Sequence, residues 1–516
     1  MKKSFLKITI ATLLISLSSN LFSQSLADGL RYSQTLNGGT ARFVSMGGAF
    51  GALGADFTST SINPAGLGVY KSSEFTITPS FKHSSIESSY NELSASDSRN
   101  RLLFDNIGIV LSYSPYKSDE NGIVNFNIGF GYNRTNDFHS NSNARGNNTE
   151  NSIIHYFNEL AGNHYYFEVL YDDVNKTPFK SGVAPWEVIM ARNTHLLFDT
   201  IAGSNGTEYL PVLPFGQGVE QQNVVNTKGG AGSYDISFAM NISNKFFIGA
   251  SLGISDFSYT YNATYKEDAF ETNPELSPGN RFYYMDYNQY YETRGSGYNF
   301  KIGGLYTPIP SIRIGLSIHT PTFYSFEEKF SYSILSNLDI NGVETISTSK
   351  SPLENYQYDF ETPFRFIGSF AYIFQSKGLI SIDVERVNYA TMKFRNGGDG
   401  DNFSDLNMDA ENTFRNVFNF RLGGEYRIGD FALRGGYAFY PSPYKSGFIN
   451  DKANISQYSG GAGYRSGNFS LDMAYLHTVK KESYVFYTFN DPDKNPNPVD
   501  TKIKDGRFLV TLGFRF

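Results

Sequence analysis

Five stretches of this chain alternate residue by residue between large apolar side chains and small or polar ones. That period of two constrains the fold more than anything else in the sequence. Val124, Phe126, Ile128, Phe130 and Tyr132 interleave with Asn125, Asn127, Gly129, Gly131 and Asn133. Tyr234, Ile236, Phe238, Met240 and Ile242 do the same with Asp235, Ser237, Ala239 and Asn241, and Ile380, Ile382 and Val384 with Ser381, Asp383 and Glu385. The fourth stretch sets Phe418, Phe420, Leu422, Tyr426 and Ile428 against Asn419, Arg421, Gly423, Glu425 and Arg427. The fifth ends the chain, with Phe508, Val510, Leu512, Phe514 and Phe516 on one face and Leu509, Thr511, Gly513 and Arg515 on the other. Such alternation gives each set its own face of a strand. The 37 Tyr, 45 Phe and 49 Gly agree, since they suit strands joined by glycine turns better than helices.

Periodicity alone does not say whether the apolar face meets a core or lipid, but the connections do. Short turns at 241–245, 307–311, 375–378, 428–430 and 466–468, with a longer one at 114–122, alternate with long polar connections. The long ones lie near 84–105, 136–232, 266–282, 330–356, 391–414, 441–455 and 484–504. Short periplasmic turns alternating with long external loops are the habit of an outer-membrane barrel. The expected fold is therefore all-β, a transmembrane antiparallel β-barrel of about fourteen strands with both ends on the periplasmic side. Tyr113, Tyr132, Tyr372, Tyr426 and Tyr464 are then interfacial girdle residues, and the terminal strand ending on Phe516 is one that outer-membrane assembly machinery would read. Residues 1–23 read as a signal peptide, with Lys2, Lys3 and Lys7 ahead of an apolar run. The absence of Cys excludes disulfides, thiolate metal sites and a lipid anchor, and a net charge of −7 argues against nucleic acid as a partner.

Ala41–Tyr70 breaks the pattern. It is glycine-rich, nearly uncharged and aperiodic, with Asn63-Pro64-Ala65 a rigid turn. Phe43, Met46, Phe50, Leu53, Phe57 and Leu67 mark it as a packed piece rather than a linker. Too irregular to form a core alone, it must sit inside something larger. The 136–232 connection carries two helix-like runs, 153–160 and 186–197, and its Tyr165, Tyr166, Phe167, Leu170 and Tyr171 favour a folded cap over the barrel mouth.

Ser45-Met46-Gly47-Gly48-Ala49-Phe50, Gly54-Ala55-Asp56 and Ser61-Ile62-Asn63-Pro64-Ala65-Gly66-Leu67, followed by about fourteen strands, resemble the FadL/TodX family of outer-membrane transporters for hydrophobic compounds. The resemblance implies an N-terminal hatch at 24–73 that plugs a barrel at 74–516, with Gly47, Gly48, Asp56, Asn63, Pro64 and Ala65 in the gate. It further implies passive diffusion of a hydrophobic cargo, long-chain fatty acids or similar lipids, caught among the outer loops and released sideways when the hatch or a wall strand moves. Gly129 and Gly131 mark strand 3 as a candidate wall opening, because glycines weaken strands or mark bulges; the competing reading is that they make room for the hatch. Lys301, Arg365, Arg421 and Arg434 are candidates to meet a ligand carboxylate, against the commoner role of ion pairs with lumen acids such as Asp235, Asp383, Glu385, Glu425 and Asp472.

No enzyme motif is found, and no metal or other cofactor is expected. His139, His155, His164 and His195 in the long loop keep a haem- or metal-capturing receptor as a rival reading, and a secretion-machinery component is another. Asp491–Asp500 reads as a stiff Pro/Asp turn. The expected protein is a monomeric barrel in outer-membrane lipid.

Overall fold

The structure is a computed structural model. It describes residues 25–36, 38–115, 122–162, 178–180, 184–200, 208–270, 281–375, 377–396 and 402–516. The expected signal peptide at 1–23, the apex of the 114–122 turn, His164 and the aromatic run 165–171 lie outside the described residues.

Among these residues the wall is a closed ring of fourteen antiparallel strands. They are β1 Glu74–Tyr90, β2 Leu93–Tyr113, β3 Ile123–Asp137 with its continuation Ser140–Asn148, β4 Val219–Ile242, β5 Phe246–Ala269 and β6 Arg281–Ile309. Next come β7 (Ile312–His319, continued by Phe323–Ile340), β8 (Glu354–Glu361 and Arg365–Phe374), β9 (Gly378–Asn388 with Lys393–Asn396) and β10 Asn416–Ile428. β11 Phe431–Tyr440, β12 Ile455–Ser466, β13 Phe469–Tyr484 and β14 Val499–Arg515 complete the ring. β14 returns to β1 with Phe514 opposite Phe75 and Leu512 opposite Ile77, which closes the ring.

The two faces obey the alternation read from sequence. Ile236, Phe238, Ile254, Phe300, Ile302, Phe366, Phe420 and Phe508 are exposed on the outside of the ring, while Asp235, Lys301, Asp383, Glu385, Arg421 and Glu425 are buried inside it. An apolar exterior around a charged interior is stable only with hydrocarbon outside. Tyr113, Tyr372, Tyr426 and Tyr464 are exposed at the short-turn end, and Tyr132 lies tilted against Tyr234, 5.0 Å between centroids, toward the other edge of the belt.

Three expected connections differ. Residues 84–105 are not a loop: β1 and β2 pair without interruption up to Tyr90 opposite Leu93, and the turn is Asn91-Glu92, both at positive φ. Residues 330–356 likewise contain β7 and a hairpin strand Val343–Lys350, turned at Asn341-Gly342. The long connection 136–232 shrinks to 149–218, because β3 continues to Asn148 and β4 begins at Val219. The cause is the same each time. A strand that rises above the lipid has water on its outer face, so the outward apolar set ends there; in β7 the alternation goes on with Phe330, Tyr332, Ile334 and Leu338 turned inward. β6 runs 29 residues, where about 10 suffice to cross a membrane.

The rest is helical or irregular. α1 Leu26–Ser33 and α2 Ala41–Ser45 precede β1, α3 Ile153–Ala161 and α4 Trp186–Asn193 form the cap, and α5 Ser404–Thr413 lies between β9 and β10. Ile154, Phe157, Trp186 and Ile189 of the cap share a core with Phe282, Phe330 and Ile334 of β6 and β7. The buried Glu267 of β5 fastens the cap, accepting from the first main-chain N–H of α3 at Ile153 (2.9 Å) and from Tyr265 and Gln221 (both 2.7 Å). The Asp491 region is a capped turn around Pro492–Lys494.

Candidate functional site: the amino-terminal segment and its seat

Residues 25–70 hold their shape by local caps. Ser25 and Asp28 form a capping box at the start of α1, and Thr40 caps α2. Asp56 caps the 3-10 turn Phe57–Ser61 by accepting from the Thr58 N–H at 3.0 Å, while its other oxygen accepts from the Thr40 hydroxyl at 2.7 Å. Burial pushes the Asp56 carboxyl up, against the pull of Arg42. Asn63 caps Pro64–Val69, accepting from the Ala65 N–H, and Pro64 sits at the first position, where no N–H is needed.

Asn63 also ties the segment to the wall. Its amide donates to the carbonyl of Gly51 (2.7 Å) and to that of Gly304 on β6 (3.1 Å). His319 of β7 contacts the Ile62 carbonyl through Nε2 at 2.9 Å, which places that inward histidine in a structural bond. Arg313 donates to the Leu53 carbonyl, Asp383 accepts from the Gly51 N–H, Thr511 from the Ala41 N–H, and Asn127 donates to the Leu67 carbonyl.

Between these bonds the wall is stripped of side chains. A Cβ at Gly303 would overlap Asn63, one at Gly249 would lie 2.5 Å from the Pro64 carbonyl carbon, and one at Gly315 would overlap the Gly51 carbonyl. Gly423, Gly436 and Gly461 admit Ser45, Met46 and Gly47 directly onto β10, β11 and β12. Gly47, at φ +62°, donates to the Ser459 hydroxyl at 3.1 Å, and Gly48, at φ +74°, lies under Phe43. Gly108, Gly129 and Gly131 cradle the ring of Phe57. Sequence reasoning picked out only two of these wall glycines, although all occupy inward positions in their strands.

The charged candidates are all engaged. Lys301 pairs with Asp235 at 2.9 Å, Arg365 and Arg421 share Glu385, and Arg434 bridges Glu425 (2.7 Å) and Asp472 (2.6 Å). Arg42 of α2 joins that last group at Glu425 (3.2 Å), and Arg365 also donates to the Ser33 carbonyl at the end of α1. A cargo carboxylate at any of the four candidates would have to displace one from the protein.

The wall is continuous at Gly129 and Gly131, which pair in unbroken register with β2 and β4. The break lies further out. The β2–β3 ladder stops at Asn106 opposite Asn133, and among the described residues no main-chain pairing joins 93–105 to β3. The cause is local. Pro79 has no N–H, and the β1–β2 register skips there, leaving a bulge at Asp105. Asp105 is buried, with Arg507 at 3.0 Å and Arg134 at 3.9 Å. Gln34, Leu36 and Gly38 take up the free edge of β3: the Leu36 N–H donates to the Thr135 carbonyl (3.0 Å), the Gly38 N–H to that of Arg134 (2.9 Å), and Asn136 to the Gln34 carbonyl (2.6 Å). Leu102 and Phe104 are exposed beside the break, which therefore sits at the outer edge of the apolar belt. A proline inside a strand was the sequence signal for it.

Two of the loop histidines are fully occupied. His155 accepts from the Ser152 N–H and bonds the Leu213 carbonyl through Nε2 (2.6 Å); burial pushes it down to about 4. His139 lies on β3's continuation side rather than in the cap, with Nδ1 on Asp137 and Nε2 on the Gly229 N–H.

No family model matches the sequence, and no curated protein matches it. Solved structures do match. A FadL homologue from Pseudomonas aeruginosa superposes with a TM-score of 0.51 at 12% identity, covering 94% of this chain and 100% of that one. The Pseudomonas putida toluene transporter TodX gives 0.49 at 11% identity (93% and 99% covered), and the Ralstonia pickettii toluene transporter TbuX 0.47 at 13% (93% and 98%). The first of these establishes that the chain has the FadL-type barrel fold.

Proposed function

We propose that this chain is an outer-membrane channel of the FadL/TodX type, passing hydrophobic small molecules by diffusion, with residues 25–70 as its gate. One observation carries the reading: the wall is interrupted at the edge of its lipid belt, and Leu36 and Gly38, of a segment bonded to the inner wall, pair with β3 at the interruption. Release of that short edge pairing would join the lumen to the surrounding membrane without unzipping a complete β ladder. For a hydrophobic cargo a sideways exit into hydrocarbon is downhill, whereas an aqueous exit is not. The aromatic cluster around α1, with Phe257, Phe326, Phe360, Phe394 and Phe414, supplies the apolar lining such a cargo needs. Long-chain fatty acids or similar lipids are the proposed cargo. The chain is proposed to be exported by residues 1–23, assembled through its terminal strand and monomeric.

The test is uptake of labelled oleate by cells that lack their own long-chain transporter. The full chain should support uptake, and a chain lacking residues 25–38 should raise it several-fold. Surface-exposed, heat-modifiable barrel that passes neither oleate nor toluene above empty cells would sink the proposal.

A further inference from the structure

Tyr32, on the last turn of α1, is held like a ligand. Its ring lies among three wall phenylalanines: Phe326 at 4.4 Å between centroids, Phe257 at 5.0 Å edge-on and Phe360 at 5.3 Å edge-on. Its hydroxyl sits 2.8 Å from that of Tyr358, whose own proton goes to the Glu328 carboxylate at 3.2 Å. Tyr358 has one proton, so Tyr32 is the donor into this relay. The cage and relay come from β5, β7 and β8, whereas Tyr32 comes from the segment that must move for a channel to open. Glu328 is buried at the end of this relay, where a carboxylate needs hydrogen-bond donors. An eight-residue helix has little stability of its own, so α1 is held by its contacts: this one, the Arg365 bond to the Ser33 carbonyl, Leu26 in the same aromatic cluster and the Arg31 guanidinium 4.0 Å over the Tyr259 ring.

We propose that the cage is a binding site for a single-ring phenol, occupied in the closed channel by the protein's own Tyr32, and that phenolic cargo competes with Tyr32 and so frees α1. The inference rests on the channel reading and adds a second class of cargo to the lipids proposed there. Ring size is set by the three phenylalanines, and the hydroxyl is selected by the Tyr358–Glu328 relay. A ring without a donor would leave the buried Tyr358 oxygen without the hydrogen bond it accepts from Tyr32.

The test is equilibrium binding of p-cresol and toluene to the full chain in detergent. Tyr32→Ala should bind p-cresol at least tenfold more tightly than the wild type does, and should prefer it to toluene by about tenfold; Tyr358→Phe added to Tyr32→Ala should abolish that preference. A folded Tyr32→Ala that binds p-cresol no better than wild type, or binds both rings equally, overturns the proposal. The wild-type protein gives an independent readout should Tyr32→Ala not fold. Trypsin cleavage after Arg31 should accelerate saturably with p-cresol and not with toluene; equal response to both, or to neither, overturns it. Oleate uptake without cresol binding would defeat this inference alone, whereas cresol binding without any uptake would defeat the channel reading.

Discussion

The wall holds residues 25–70 in two different ways. Across β10, β11 and β12 the contact is main chain on main chain, because Gly423, Gly436 and Gly461 leave nothing between the strands and Ser45–Gly47. Around it, Arg42 joins Glu425 and Arg434, and the Ala41 N–H reaches Thr511 at 2.7 Å. At the outer ends of β2 and β3, beyond the glycines that cradle Phe57, the contact is two main-chain bonds and the Asn136 amide on the Gln34 carbonyl, beside the wall's own Asp105 pair with Arg507 and Arg134. Steric fit of the first kind is lost all at once, since close-packed surfaces do not loosen by degrees. Hydrogen bonds of the second kind break singly, each at small net cost when water is near. In the reading proposed here, the glycine side is the anchor and the β2–β3 side is the gate.

The largest expected effect comes from spoiling the anchor. In Gly436→Val the new side chain would overlap Gly47 and Met46, and the segment must lift or the wall must bend, at a cost of about 3 kcal/mol. The thermal midpoint should fall, and trypsin should cut after Arg42, which the wild type protects. Gly435→Val is the control, since its Cβ would point away with nothing within 4 Å. If both variants behave like wild type, the anchor is not where the glycines place it.

A smaller and more local effect is expected at the gate. Asp105→Asn keeps the shape but removes the charge shared by Arg507 and Arg134, at about 2 kcal/mol for charge-assisted bonds. Amide exchange at Leu36 and Gly38 should quicken while that at Gly47 stays slow. Equal quickening at all three would mean that the segment releases as one body, and the distinction between anchor and gate would fall.

These two sides were unequally legible in the sequence. The membrane belt was readable because lipid and lumen impose opposite chemistry on alternate residues, as at Ile236 and Asp235. The Ser84–Ser98 stretch was not, because above the lipid both faces of β1 and β2 are polar. The hatch motif was visible in Gly47, Asn63 and Pro64, and the glycines opposite it shared a parity that only register turns into a seat. Of the two readings of Gly129 and Gly131, room for the packed segment is the one that matches their contact with Phe57, while the break in the ladder lies by Pro79 and Asp105, whose register the sequence does not display. Tyr32 lies ahead of the segment the motif marked, and its cage is assembled from residues more than 200 positions away.

The smallest effect expected is in the cap, which belongs to neither side and so bounds the comparison. Docked His155 is neutral, because Nδ1 must accept from the Ser152 N–H that starts α3. Burial holds it down to about 4, against an ordinary value of 6.5. Between those values the undocked cap binds a proton that the docked cap does not, so docking weakens as pH falls from about 6.5 toward 4. Glu187 works in the opposite sense: burial pushes its carboxyl up, and its protonation on acidification favours the docked state. Glu267, also pushed up by burial, acts with Glu187, so the carboxyls oppose the histidine and removing it should leave only their slope. Trp186, the sole tryptophan, is buried in the cap core and reports docking by its fluorescence. Wild-type emission should shift red across this window, and His155→Gln should lose the red shift. A red shift that survives His155→Gln would assign the pH response to another cap group, while protease protection at Arg42 should stay constant throughout if cap and anchor are independent.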